Sequence, residues 1–256
     1  MKEMVVKLIV FFILVAGFAP GIFAAEDPKI ILVFVDLSDS TTGDRSDYQK
    51  YFNVILDSMR GGDRLIIGSI EKSPKGKSLV RFNEELPVRN ALFDNALKFN
   101  ARTRKTLDAA NASFASLIAE TSTETPIIDT LDEVNRLATN FSKPRKVLVL
   151  FSDMKEYSKG GMNFEAKNFN LTEKKSGILM NELKLKKRIA DLTGVKVYVA
   201  GARDKNAKLQ GQIGDFWATY FKETGADFSM ERYGTDLGRF AECADCKPRY
   251  SKVPAR

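Results

Sequence analysis

Three apolar runs, over residues 30–35, 147–151 and 195–200, constrain the fold more than any other feature of the sequence. Apolar runs of this length are typical of strands that are buried on both faces of a parallel sheet. Between them lie segments whose apolar residues recur at the spacing of an amphipathic helix. The alternation predicts an α/β fold with a mostly parallel, doubly wound sheet.

Six strands and five helical segments can be located from these patterns. The predicted strands cover residues 30–35, 64–70, 79–82, 147–151, 195–200 and 227–230. The predicted helices cover residues 48–59, 126–141, 173–192 and 216–223, with a long helical segment over 88–120. A short turn at 73–76 makes the third strand an antiparallel edge strand. The 88–120 segment is either a helix that covers the core or a protruding insert that carries a partner surface.

The first 24 residues have the pattern of an export signal. Lys2 and Lys7 precede an apolar run over 8–19, and the small residues Ala24 and Ala25 offer a cleavage point. The run is too short to span a bilayer comfortably. We therefore predict a cleaved signal peptide over 1–24, a folded domain over 25–232 and a tail over 233–256. The mature protein is expected to be periplasmic or extracellular.

Histidine is absent from the chain, which excludes His-based catalytic triads, His-ligated zinc and His acid–base catalysis. Cys243 and Cys246 form a CxxC motif in the predicted tail. No second pair is present to complete a zinc site, and Lys247 stands where c-type haem attachment has histidine. In an exported protein this motif predicts a local disulfide.

The net charge is +7, and part of the basic excess lies in one predicted helix, over 174–188. Such a block is either a solvated helix face or a surface for an acidic partner or a membrane. Basic and aromatic residues are not interleaved as in nucleic-acid-binding proteins, so no nucleic-acid partner is predicted.

Polar side chains follow two of the buried strands and open one of the helices. Asp36, Ser38 and Ser40 come directly after the first strand, Thr125 opens a helix, and Asp153 follows the 147–151 strand. Each has an ordinary structural explanation, as an Asx-turn or a helix cap. If the two strands are neighbours, however, their carboxyl ends share one crevice, where ligands bind in such sheets.

The segments "VFVDLSDS", "TPIIDTL" and "VLVLFSDM" resemble the metal-ion-dependent adhesion site of von Willebrand factor type A (VWA) domains, the integrin I-domain family. The resemblance covers about residues 29–232 and implies a six-stranded sheet ordered 3-2-1-4-5-6, with helices on both faces. It implies that Mg²⁺, or Mn²⁺ or Ca²⁺ in its place, binds to the hydroxyls of Ser38, Ser40 and Thr125. Asp36 and Asp153 would contact the ion mainly through water or lie just behind its hydroxyl ligands.

The resemblance also implies a protein that is not an enzyme and that binds another protein through an acidic side chain. Mg²⁺ prefers six oxygen ligands, and neutral hydroxyls leave most of its charge uncompensated, so the ion attracts a partner's carboxylate. Two positions depart from the family pattern. Glu124 and Met154 stand where the family commonly has glycine. We expect Glu124 to be exposed, although a carboxylate near the ion would tighten metal binding and weaken an acidic partner.

Two other functions remain open. The first is a haloacid-dehalogenase-like phosphatase with Asp36 as nucleophile, although Ser38 replaces the second Asp that supplies the general acid there. The second is an exported structural protein whose site stays empty.

Overall fold

The computed structural model describes residues 27–72, 78–90, 92, 94–141, 145–159, 161–166, 169–237, 240 and 242. The predicted signal peptide over 1–24 and the CxxC motif of Cys243 and Cys246 lie outside these residues. Within the described residues, no helix combines the length and the apolar character that crossing a membrane requires.

Six strands form a single sheet. They are β1 (Lys29–Asp36), β2 (Arg64–Ile70), β3 (Val80–Glu85), β4 (Arg145–Phe151), β5 (Val195–Ala200) and β6 (Tyr233–Gly234). Their order is β3-β2-β1-β4-β5-β6. All neighbours pair in parallel except β2 and β3, which are antiparallel. The predicted sheet order and the antiparallel edge strand are therefore confirmed.

In the part of the chain that the structure describes, five α-helices cover the two faces of the sheet. They are α1 (Arg45–Asp57), α2 (Ala96–Leu117), α3 (Ile127–Thr139), α4 (Glu173–Leu185) and α5 (Ala207–Glu223). Every residue of β1 is buried. Because side chains alternate along a strand, Ile31, Val33 and Val35 pack with α1 and α2, while Ile30, Leu32 and Phe34 pack with α3, α4 and α5. The doubly wound α/β prediction is confirmed.

The sixth strand lies later in the chain than the predicted 227–230. Asp227 forms only an isolated bridge to Lys196. A 3₁₀ turn over Met230–Arg232 follows, and Tyr233 and Gly234 then pair with β5. The two-residue strand is too short to show a periodic pattern.

Two further helices differ from their predicted bounds by more than a few residues, each at one end. α4 ends at Leu185 and not at 192, since Lys187 adopts a left-handed conformation (φ 55°) and the Arg188 N–H bonds the Leu183 carbonyl. α5 begins at Ala207 and not at 216, because the Asn206 side chain accepts hydrogen bonds from the first free N–H groups of the helix.

The segment predicted as a long helix over 88–120 has two parts. α2 begins after Asn95, whose side chain caps the Leu97 N–H. Over its last turns it covers the core, and the Phe114 ring stacks on Phe52 at 4.0 Å. Over its first turns it projects, with Leu97 78% exposed. The covering interpretation holds for the second half of the helix, and a partner surface on its exposed first half stays a prediction.

Three of the six basic residues in the 174–188 block are paired with acids. Lys184 lies 2.8 Å from Glu223, Lys186 bonds Glu182, and Arg188 pairs with Asp129. The face is therefore less basic than the sequence block alone indicates.

The folded region extends beyond the predicted boundary after residue 232. Besides β6, the chain returns to the amino-terminal edge of the sheet at Glu242, which is buried. Its carboxylate accepts hydrogen bonds from Arg145 (2.8 Å), Tyr198 (3.0 Å) and Lys196, whose ammonium lies at 3.0 Å. The buried Lys29 ammonium donates to the Glu242 carbonyl oxygen at 2.8 Å. Charged groups from β1, β4 and β5 thus hold the tail against the sheet.

Candidate functional site

Asp36, the last residue of β1, organises the loop that follows it. Its side chain is fully buried. Oδ1 accepts a hydrogen bond from the Ser38 N–H at 2.9 Å, which is the Asx-turn expected from the sequence. Oδ2 accepts from the Ser152 hydroxyl at 2.7 Å. Thr41 Oγ1 donates to the Asp36 carbonyl at 2.9 Å and so holds the start of the 3₁₀ helix Asp39–Asp44.

The three predicted hydroxyl ligands lie around this carboxylate. Ser38 Oγ and Ser40 Oγ are 3.0 Å apart, and Thr125 Oγ1 donates to Asp36 Oδ1 at 3.4 Å. Thr125 is buried and is held by two backbone hydrogen bonds with Tyr157, of 2.8 and 3.0 Å. Residues from the loop after β1 and from the start of α3 therefore meet at the carboxyl edge of the sheet.

Asp153, the fifth predicted residue, is buried at the end of β4, which neighbours β1. Burial and the nearby Asp153 carboxylate raise the pKa of Asp36 to about 7. The structure thus brings all five predicted residues to one edge of the sheet. Their role as metal ligands stays a prediction.

A cleft of about 390 Å³ opens over these residues. Ser38, Ser40 and Thr125 line it, whereas Asp36 and Asp153 do not. Phe164 and Leu209 form an apolar part of its wall. The hydroxyls therefore face the cleft together with the acidic residues Asp39, Glu165 and Asp204, and the two buried acids lie behind them.

The two serine hydroxyls, which are hydrogen-bonded to each other, have a separation that is compatible with two adjacent ligands of a small divalent cation. Adjacent ligands of an octahedral Mg²⁺ at 2.0–2.1 Å lie about 2.9 Å apart, and the Ser38 and Ser40 hydroxyl oxygens are separated by 3.0 Å. Within the described part of the chain, no group of three or more Asp, Glu or Cys side chains is placed to hold a metal.

Sequence reasoning missed Lys155 and Asp204, which also line the cleft. The Lys155 ammonium lies 3.3 Å from Asp153 Oδ2 and 2.7 Å from Asp204 Oδ2. Both residues follow carboxyl ends of neighbouring strands, β4 and β5, and this position was the signal that could have identified them.

Met154, one of the two departures from the family pattern, has a backbone conformation that favours glycine. Its φ is 63°, in the left-handed region that glycine adopts without cost. Two contacts fix the conformation. The Met154 N–H donates to Ser152 Oγ at 2.9 Å, and its carbonyl accepts from the Trp217 indole at 2.8 Å. The side chain is fully buried in the core, which offsets the backbone strain.

We expect Met154→Gly to lower the free energy of unfolding by about 1–4 kcal/mol. Loss of a buried methionine side chain costs roughly 2–5 kcal/mol, and relief of the left-handed strain returns about 1 kcal/mol. Urea unfolding monitored by tryptophan fluorescence measures the difference. A variant more stable than wild type would show that strain, and not burial, dominates at this position.

Glu124 forms its contacts outside the cleft. It is largely buried, contrary to the expectation from the sequence. Its side chain is 15% exposed and lies 3.2 Å from the Lys72 ammonium. The carboxylate also accepts a hydrogen bond from the Lys159 backbone at 3.0 Å. That bond and the charge of Lys72 lower the pKa of Glu124. Glu124 does not line the cleft, so its carboxylate is not placed as an additional ligand.

Glu156 is a buried acid just beyond the site, and it predicts a pH dependence of stability. It accepts a hydrogen bond from the Ile128 N–H at the start of α3, at 3.1 Å. Burial, together with the charge of Asp129, raises the pKa of Glu156 from about 4.5 to about 8, against the opposing effects of Ile128 and Arg188. The folded protein therefore keeps a proton that the unfolded chain releases. Stability that is present below pH 4.5 is lost as the pH rises towards 8.

We expect Glu156→Gln to flatten this dependence. Since one pKa unit corresponds to about 1.4 kcal/mol, wild type should lose on the order of 3 kcal/mol between about pH 5 and about pH 8. Glutamine keeps the acceptor for Ile128 without the titration, so the variant should lose much less. Urea unfolding at both pH values is the measurement. Equal losses in the two proteins would contradict the assignment.

No protein-family model matches the sequence, and a comparison with curated proteins gives no significant match. Several solved structures are similar at low identity. The pilus adhesin SpaC from Lactobacillus rhamnosus GG is 16% identical with a TM-score of 0.46, over 81% of this chain and 28% of that chain. A von Willebrand factor type A structure from Catenulispora acidiphila is 14% identical with a TM-score of 0.38, over 78% and 43%. An aerotolerance-related membrane protein from Bacteroides fragilis is 11% identical with a TM-score of 0.35, over 77% and 88%.

This chain spans less than half of the SpaC and Catenulispora chains. Likenesses this distant give no argument about function, and the α/β fold class rests on the strand order and pairing described above.

Proposed function

We propose that the protein is an exported, metal-dependent protein-binding module of the VWA type, whose bound Mg²⁺ captures a carboxylate of a partner protein. One observation carries the proposal. The hydroxyls of Ser38, Ser40 and Thr125 face one cleft, with the buried acids Asp36 and Asp153 behind them. Three separate segments of the chain supply these groups, and ordinary turn or cap formation does not require that they meet.

Each residue has a distinct role in this proposal. Ser38, Ser40 and Thr125 would hold the ion through their hydroxyl oxygens, and Mn²⁺ or Ca²⁺ could replace Mg²⁺ there. Asp36 fixes the loop by its bonds to the Ser38 N–H and the Thr125 hydroxyl. With Asp153 it also adds the negative charge that retains a cation. When bound, the ion supplies Lewis-acid attraction for an anionic oxygen of the partner.

The phosphatase alternative finds less support in this geometry. A nucleophilic Asp36 would have to reach a phosphate ester, yet its side chain is fully buried and both oxygens accept hydrogen bonds. Residue 38, which would supply the general acid, is a serine. Release of phosphate from an ester by the purified protein would restore this alternative.

The test compares the removal of one hydroxyl inside the proposed site with the removal of one beside it. Thr125→Val deletes a proposed ligand and keeps the shape, whereas Thr123→Val changes an exposed threonine of the same cleft. Wild type and Thr123→Val should bind Mg²⁺ and Mn²⁺ in calorimetric titrations, and Thr125→Val should bind more weakly. Partner capture from a surface extract of the native cell should occur in Mg²⁺ and be lost in EDTA. A wild type that binds neither ion supports the empty-site alternative.

A further inference from the structure

Lys155 places a positive charge in the wall of the cleft. Its side chain is only 16% exposed. The ammonium contacts Asp204 at 2.7 Å and Asp153 at 3.3 Å, and the Lys155 N–H also donates to Asp153 Oδ1 at 3.1 Å. Asp153 is thus bound twice by the same residue. In the conformation described, the cation nearest to this buried acid belongs to the protein itself.

A divalent ion among Ser38, Ser40 and Thr125 would compete with this ammonium. Both cations are attracted by Asp153, and they repel each other across a partly desolvated cleft, where charge interactions are stronger than in bulk water. Metal binding is therefore favoured when the ammonium leaves Asp153. Asp204 can hold the ammonium after it leaves Asp153, because the Lys155–Asp204 contact is already the shorter of the two.

We propose that Lys155 is a displaceable internal counter-ion that sets the metal affinity of the cleft, and that Asp204 is the acceptor that holds its ammonium when the metal binds. The inference rests on the proposed metal-dependent function and adds a regulating pair to it. Lys155 and Asp204 are positioning residues, since neither needs to touch the ion. Without metal, the Lys155 charge compensates Asp153. With metal, the ammonium pairs with Asp204 alone.

Three variants give this mechanism a distinctive signature in Mn²⁺ titrations. Lys155→Met removes the competing charge and should tighten Mn²⁺ binding by about tenfold or more. Asp204→Asn leaves Asp153 as the main acceptor for Lys155, so it should weaken binding, while its Oδ1 can still accept from the Asn206 N–H. If Asp204 acts through Lys155, the double variant should bind as tightly as Lys155→Met.

Lys159→Met is the matched control, because it removes the same charge from an exposed lysine in the same loop. It should change Mn²⁺ affinity little.

Thermal unfolding supplies a readout without metal. In EDTA, Lys155→Met should unfold at a lower temperature than wild type, because the buried Asp153 loses its neighbouring cation. Adding Mg²⁺ should raise the unfolding temperature more in the variant than in wild type, since tighter binding to the folded state stabilises it more.

The possible outcomes separate this inference from the proposed function. If wild type binds Mn²⁺ and Lys155→Met binds it no more tightly, the counter-ion inference fails and the metal site stands. If the double variant binds as weakly as Asp204→Asn, Asp204 acts directly on the ion and its assigned role is wrong. If neither wild type nor Lys155→Met binds Mn²⁺, both proposals fail together.

Discussion

Asp36→Ala should weaken Mg²⁺ binding by about 10- to 100-fold, the loss typical when a group that orients metal ligands is removed. It should also abolish partner capture. The reason is that Asp36 holds the Ser38 N–H and the Thr125 hydroxyl, so its loss frees two segments of the site at once. The fold should persist, because the site lies at the rim of the sheet and the change also removes the repulsion between Asp36 and Asp153. Calorimetric titration with Mg²⁺ and Mn²⁺ measures the affinities, and circular dichroism checks the fold.

Substitutions at neighbouring residues provide comparisons for the affinity loss in Asp36→Ala. Ser38→Ala and Ser40→Ala each delete one neutral ligand and should weaken binding more mildly. Asp39→Ala removes the same charge as Asp36→Ala from an exposed side chain that also lines the cleft, but it leaves the hydrogen bonds of Asp36 intact, so it should weaken binding less. Equal losses in Asp36→Ala and Asp39→Ala would show that net charge, and not the geometry around Asp36, governs the cleft.

Glu242→Ala should lower the free energy of unfolding by about 3 kcal/mol, the scale observed when one partner of a buried ion pair is removed. The Glu242 side chain is 1% exposed, and Arg145, Lys196 and Tyr198 all direct polar hydrogens to its carboxylate. Tyr198 is buried, so its hydroxyl would lose this acceptor in a place that water does not reach easily. Chemical denaturation of wild type and variant gives the difference.

Glu223→Ala is the control for this experiment. Glu223 also pairs with a lysine, Lys184, at 2.8 Å, but both side chains are more than one third exposed. Exposed pairs contribute about 0–1 kcal/mol, so this variant should unfold almost like wild type. If both variants lose equally little, the tail is not held to the sheet by Glu242.

The core of the fold was predictable because it depends on local patterns. The apolar runs that form β1, β4 and β5 have the composition of strands buried on both faces. Since helices connect these strands, the strands are expected to be parallel. Helix ends were less predictable, since α4 stops where Lys187 adopts a positive φ, a conformation for which its sequence gives no signal. β6 has two residues and shows no pattern.

The candidate site was also predictable only in part. Asp36, Ser38, Ser40, Thr125 and Asp153 follow from strand ends and a helix start, which sequence patterns locate. Lys155 and Asp204 were missed because their pairing depends on side chains that meet only once β4 and β5 are side by side. Glu242 was missed for a similar reason, since its partner Arg145 lies 97 residues earlier in the chain.

The two charged ends of β1 have a mechanical consequence. If the proposed site captures a partner, a load between the Asp36 edge and the tail held near Lys29 by Glu242 would pull on opposite ends of one strand. β1 pairs in parallel with β2 and β4 along its length, and the hydrogen bonds of parallel strands are evenly spaced. Tension along the strand therefore loads these bonds together in shear and does not open them one after another. The central strand would carry tensile force directly from the captured partner to the point where the tail is anchored.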